Sequence, residues 1–142
     1  MSSKLLLITG TLCTLLTTQL SANTLNLGTL SGSWHMRVLD GMEVRKARAI
    51  LDFDAKKMRV DGFDSCNRIS GILKQNPQTK QLSTQLRTTR MACRGNIQKW
   101  VSKRLHETMR EGFTIKEEKK YGVKGITLKS SSHELFFKKM ER

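Results

Sequence analysis

Proline occurs once in the 142 residues, at Pro77, tyrosine occurs once, and aromatic side chains make up only 6%. The lone proline sits in the polar stretch Gln75–Lys80. No repeat, low-complexity tract or internal boundary divides the chain, whose length suits one domain. So few aromatics offer little for nucleic-acid bases to stack on, and nucleic-acid binding is not expected. The three histidines, His35, His106 and His133, stand far apart without HxxxH or CxxC spacing, and there is no glycine-rich phosphate loop. No metal, no cofactor and no catalytic set is therefore expected. Acids are scarce too, 12 against 26 lysines and arginines, for a net charge of +14. An imbalance of that size bears on solubility and on anionic partners, not on fold.

Long apolar runs are also missing. Leu5–Leu16 falls short of the ~20 residues a spanning helix needs. It follows Lys4 and precedes polar threonines and Leu20-Ser21-Ala22, the layout of a secretory signal cut near Ala22; the alternative is an uncleaved anchor. The expected organisation is a signal peptide over 1–22 and a single domain over 23–142, periplasmic or secreted, with no transmembrane span in the mature chain. Cys13 lies inside the apolar core, behind Gly10-Thr11-Leu12, which is a poor lipidation site, and it leaves with the signal. The mature charge is then +13, and two cysteines remain, Cys66 and Cys93. An even pair in an exported chain reads as a disulfide, the alternative being two reduced, buried thiols. A bridge from 66 to 93 would contribute roughly 3–4 kcal/mol by closing its loop.

Period-two alternation begins at Ser33, with Trp34, Met36 and Val38 on one side and His35, Arg37 and Leu39 on the other. It ends at the turn pair Asp40-Gly41. Met42–Phe53 reads as one further strand, with Met58–Val60 returning from Phe53 as a hairpin. In Asp61–Gly71, DGFDSCNRISG, turn formers place Cys66 at a bend, and Gly71 within the next strand marks a bulge or a close backbone approach. Gln81–Arg87 reads as a strand with Leu82, Thr84 and Leu86 inward. One helix of ~14 residues follows, capped by Asn96 and stopped at Gly112. Its stripe is Ile97, Trp100, Val101, Leu105, Thr108 and Met109. Phe113–Lys116, Gly125–Lys129 and Glu134–Lys139 read as strands. Strands, one helix, then strands exclude a doubly wound parallel sheet and favour one amphipathic helix on a curved antiparallel sheet.

GSW at Gly32–Trp34, LDF at Leu51–Phe53, DGFDSCNRISG, TTRMAC at Thr88–Cys93, the helix, GITLKS at Gly125–Ser130 and the terminal ELFFKKM come in a telling order. Over about Leu27 to Met140 the chain resembles META domains, the HslJ-like family of small exported or envelope-associated bacterial proteins. The specific part is C-N-x-x-S-G followed by T-R-M-A-C. The resemblance implies an α+β, mainly antiparallel β fold: a lipocalin-like curved sheet or partial barrel of about 7–8 strands with one amphipathic helix. It also implies a link to envelope stress, such as heat or antibiotic tolerance, and no established catalytic mechanism. Trp34, Phe53, Gly62, Asn67, Ser70, Gly71, Thr89, Arg90 and Met91 then belong to the family's structural motifs. Two departures stand out: Ser65 replaces the usual glycine before Cys-Asn, and the segment after Cys93 is basic.

Little reactive chemistry competes with that reading. A Cys–His nucleophile would be disarmed by the bridge, and Asp61 and Asp64 are more naturally turn formers than an acid/base pair. Asn67, Arg68, Ser70 and Arg90 either form a polar ligand site or serve structure. In the structural reading Asn67 and Ser70 satisfy turn backbone while Arg90 pairs with Asp61 or Asp64. The better functional lead is charge. Lys99, Lys103, His106 and Arg110 share the helix face opposite Trp100 and Leu105, preceded by Arg87, Arg90 and Arg94; Glu107 is the one acid among them. The expected function is non-enzymatic binding of an anionic envelope component (lipopolysaccharide, acidic glycan or lipid) or of an acidic protein. The alternatives are an inhibitor or scaffold contacting another protein through its loops, or a basic face that is merely solvated.

Overall fold

The computed structural model describes residues 27–141; the expected signal peptide and Cys13 lie outside them. In chain order the elements are α1 (Leu27–Leu30), β1 (Gly32–Leu39), β2 (Met42–Glu43), a 3-10 turn (Arg45–Ala47), β3 (Ala49–Asp54), β4 (Arg59–Asp64) and β5 (Arg68–Ile72). Then come β6 (Lys74–Gln75), β7 (Leu82–Ser83), β8 (Arg87–Thr88), α2 (Asn96–Glu111), β9 (Thr114–Lys120), β10 (Val123–Lys129) and β11 (Glu134–Lys139).

Strand β1 sits in the middle of the main sheet because its alternation buries Trp34 and Met36 on the core side while both its edges find antiparallel partners, β3 and β11. The sheet runs β8-β5-β4-β3-β1-β11-β10-β9, with β2 folded back on the end of β1, nine strands in all. Every pairing is antiparallel, so the α+β, mainly antiparallel expectation holds. The register shifts between Met36 and Val38, and this irregularity turns Leu39 inward, where alternation alone placed it outside. The sheet is open. Its two ends, β8 and β9, do not pair with each other. A separate two-stranded ribbon, β6–β7, meets the chain entering β9 through a single bridge, Leu82 to Phe113.

Helix α2 lies against the core with Val101, Leu105, Thr108 and Met109 buried. They join Met36, Leu51, Val60, Phe113, Leu128, Leu135 and Phe137, all fully buried. Trp34, buried among them, donates its indole N–H to the Leu30 carbonyl at 2.8 Å and so pins α1 to the sheet. Phe53 is likewise core.

Three sequence expectations fail locally, each for a physical reason. Met42–Phe53 is not one strand. Val44 and Ala47 are both buried, and a spacing of three cannot be met by a period of two, so the chain makes a 3-10 turn and recovers through Arg48 at φ +58°. Gln81–Arg87 breaks between β7 and β8, because Thr84 gives its amide to Met109 O in the last turns of the helix rather than to a strand partner. The cap position is Gly95, an extended residue that offers no side-chain cap, so Asn96 is not the cap but the first of 16 helical residues. Its first turn overhangs the core: Ile97 is exposed, and half-buried Trp100 stacks under the Arg104 guanidinium at 4.5 Å.

Candidate functional site

The residues of the two cysteine motifs converge at the entry to α2. Asp61 and Gly62 are not turn residues as the sequence suggested but lie inside β4, which stays paired with β3 through Asp64 because Gly62 lets the two backbones approach. The chain bends at Ser65-Cys66, and Cys66 is bonded to Cys93 with a Cα–Cα distance of 4.5 Å. Gly62 is required by contact. A Cβ there would lie 2.0 Å from the Ile50 carbonyl oxygen, on a backbone at φ +149°. Gly71 is the close approach read from the sequence, its missing Cβ site only 2.4 Å from Thr84 Oγ1. Asn67 Oδ1 accepts both the Thr89 hydroxyl, at 3.1 Å, and the Met91 amide, while Thr89 Oγ1 accepts the Arg68 amide. Asn67, Thr89 and Met91 thus clip one motif to the other through backbone and hydroxyl groups. Ser70 pairs with Asp61 and Arg87 within the ladder. Arg90 is exposed and holds neither aspartate; Asp61 pairs with Arg59 at 3.3 Å.

Asp64 has different partners from those expected. Its buried carboxylate accepts the amides of Cys66 at 2.8 Å and Asn67 at 2.6 Å on one oxygen. The other oxygen accepts the Ser102 hydroxyl at 3.0 Å and His106 Nε2 at 2.7 Å. Burial alone would raise this carboxyl's pKa, but the hydrogen bonds, led by that from His106, hold it below its ordinary value. His106 therefore turns from the outward row toward the sheet, a correction to the helix-face reading. Its partner lies on a strand 42 residues away, which a helical wheel does not contain. Ser, His and Asp are the residue types of a hydrolase triad, but the hydroxyl here gives its proton to the carboxylate rather than to the imidazole.

A second imidazole holds α2 through the next residue, Glu107. His133 reaches Asp40 through Nδ1 at 2.8 Å and Glu107 through Nε2 at 2.7 Å. Two ionised carboxylates can only accept, so both ring nitrogens must carry protons. Burial opposes that charge, yet the hydrogen bonds to Glu107 and Asp40 outweigh it and raise the His133 pKa. Glu107 is correspondingly lowered, first by its hydrogen bond from His133.

Of the expected basic set, Arg87, Arg90, Arg94, Lys99, Lys103 and Arg110 are all exposed. The structure divides them. Arg87 and Arg110 line a cleft of about 510 Å³ together with Arg59 and Lys74, which the sequence reading missed. Lys99 and Lys103 stand one turn apart on α2, outside that cleft. No local signal could have found Arg59 and Lys74, since the four cations come from four separate elements. Among the described residues no helix is long and apolar enough to cross a membrane.

An open antiparallel sheet, one helix laid against it and a disulfide at the helix entry define a small α+β domain class. The chain belongs to the META domain family, whose model matches residues 23–141. It is similar in fold to an NMR structure of a protein from Burkholderia xenovorans, with a TM-score of 0.61 and 20% identity, over 82% of this chain and 87% of that one. No curated protein matches it.

Proposed function

We propose that the protein is a non-enzymatic, exported domain acting in envelope stress. It would engage an anionic envelope component, such as lipopolysaccharide, acidic glycan or lipid, or an acidic protein, through the exposed cations of α2 and the segment before it. One observation carries this reading: Glu107, the single acid among the seven lysines and arginines of 87–110, is taken up by His133. Lys99, Lys103, Arg90 and Arg94 stay exposed without an ion-pair partner among the described residues. Like charges left together repel one another and are relieved by an anion. The elbow at Cys66 supports the non-enzymatic part, because its polar groups are consumed by one another. The reading predicts binding to phosphatidylglycerol vesicles that weakens as salt shortens the screening length. Lys99→Glu with Lys103→Glu should reduce it about tenfold. Unchanged vesicle binding in that variant would remove this face as the site.

A protein-contact role draws on a different feature. Met42, just after the Asp40-Gly41 turn, and Tyr121, in the turn between β9 and β10, are 53% and 64% exposed, and Gly41 and Tyr121 line the same hollow. Crosslinking in envelope extract separates the two readings. A stoichiometric, salt-insensitive protein partner would favour the hairpin turns.

A further inference from the structure

Four cations from four elements converge on the cleft beside Gly71: Arg59 at the start of β4, Lys74 in β6, Arg87 in β8 and Arg110 in the last turn of α2. Among the described residues no carboxylate lines it. Among the described residues Arg59 alone of the four has an acidic partner, Asp61 at 3.3 Å, and both side chains are about half exposed, so that pairing is a weak competitor. Between the cations lie Ser70, Ser83 and Gln85, whose side chains make no hydrogen bond to protein among the described residues. Thr84 lines the same cleft and is 5% exposed, and its hydroxyl has no hydrogen-bond partner among the described residues. Such an orphan is uncommon, because a buried hydroxyl left unpaired costs about 1–3 kcal/mol. A turn about its χ1 would direct it to a bound acceptor.

We infer that this cleft is a binding site for a phosphorylated saccharide carrying two phosphate groups. The volume of about 510 Å³ lies within the ~300–1,000 Å³ of small-ligand sites and suits one or two sugar rings. A phosphomonoester carries about −1.5 to −2 charge at neutral pH, so two of them balance the four cations less the share of Arg59 taken by Asp61. A uronate brings one charge per ring and leaves most of the site uncompensated. Guanidinium groups match phosphate oxygens in pairs, and the free hydroxyl and amide groups both donate and accept, as sugar hydroxyls require. The assignment does not rest on the helix-face reading, since Lys99 and Lys103 are not part of the cleft.

The test is calorimetric titration of the purified protein with glucose 1,6-bisphosphate, with glucose and glucuronate as controls. Saturable 1:1 binding is expected, at least about tenfold tighter than glucuronate and weaker at high salt. Lys74→Glu with Arg87→Glu should weaken it at least about tenfold, while Lys99→Glu with Lys103→Glu changes it less than about twofold. All four substituted residues are exposed, and thermal unfolding checks that each variant is folded. No saturable binding, or equal loss in the two variants, overturns the assignment. Vesicles carrying a bisphosphorylated glycolipid give the source. Binding competed by the free sugar bisphosphate supports a lipid headgroup, and binding of the free compound alone supports a soluble sugar phosphate. If the sugar fails to bind while phosphatidylglycerol vesicles still bind through Lys99 and Lys103, the cleft is wrong and the helix face stands.

Discussion

Ser65 holds a backbone angle of φ +84°, a conformation that glycine adopts without steric cost and serine does not. What keeps it there is its hydroxyl, which donates to the Ala47 carbonyl at 2.7 Å and ties the elbow to the turn before β3. Serine therefore holds with a buried hydrogen bond a conformation that glycine would adopt freely. The two effects can be separated by substitution. Ser65→Ala keeps the strain and orphans the Ala47 carbonyl, and should cost about 1–3 kcal/mol in urea unfolding. Ser65→Gly loses the bond but relieves the strain, and should fall within about 1 kcal/mol of the parent. If alanine is tolerated as well as glycine, the bond does not hold the elbow.

At the scale of elements, α2 is fastened three times: by the Cys66–Cys93 bridge ahead of its first turn, by His106 to Asp64, and by His133 to Glu107. Reducing the bridge should lower the unfolding free energy by about 2–4 kcal/mol, seen as a fall in the urea midpoint. The His133 contact predicts a pH dependence of definite sign. Its folded pKa is raised above the ordinary 6.5, so its contribution is complete below that value and is lost as pH rises through the elevated one. The lowered carboxyls work from the acid side. Glu107 and Asp64 contribute above their ordinary 4.5 and 3.8 and lose that contribution as pH falls through their folded values. His35, lowered by burial and by Arg37, acts against His133, so the comparison must be differential. The stability gap between the protein and His133→Asn should reach about 1.5–3 kcal/mol between pH 4.5 and 6.5 and close on the alkaline side. A gap independent of pH would mean that His133 acts by packing alone.

Elements were legible where burial obeys one period. Val101, Leu105, Thr108 and Met109 announced the helix. β10 and β11 bury consecutive residues on both faces, Gly125 to Leu128 and Leu135 to Phe137, and were placed by the Ser130-Ser131-Ser132 break between them. Elements were illegible where two periods meet, as at Val44 and Ala47. The site divides in the same way. The Cys66–Cys93 pairing was readable because it needs only two residues and a compartment. Asp64 with His106, or Arg59 and Lys74 with Arg87 and Arg110, depend on which distant elements touch, and a helical wheel carries no such information.

Across the whole molecule the cysteine motifs and the charge do different work. Asn67, Thr89, Gly62 and the bridge set where α2 begins. α2 and its neighbours then present cations on a sheet that stays open at β8 and β9. The net charge of +14 is the long-range consequence, a field that draws anions before any contact forms. The most direct test of this division measures phosphatidylglycerol-vesicle affinity and unfolding free energy together in two variants. Asn67→Ala should lose about 1–3 kcal/mol of stability yet bind vesicles within about twofold of the parent. Lys99→Glu with Lys103→Glu should keep its stability within about 0.5 kcal/mol and lose about tenfold in affinity. The reverse pattern, affinity lost with Asn67 and kept after charge reversal, would make the elbow the binding site and contradict the account.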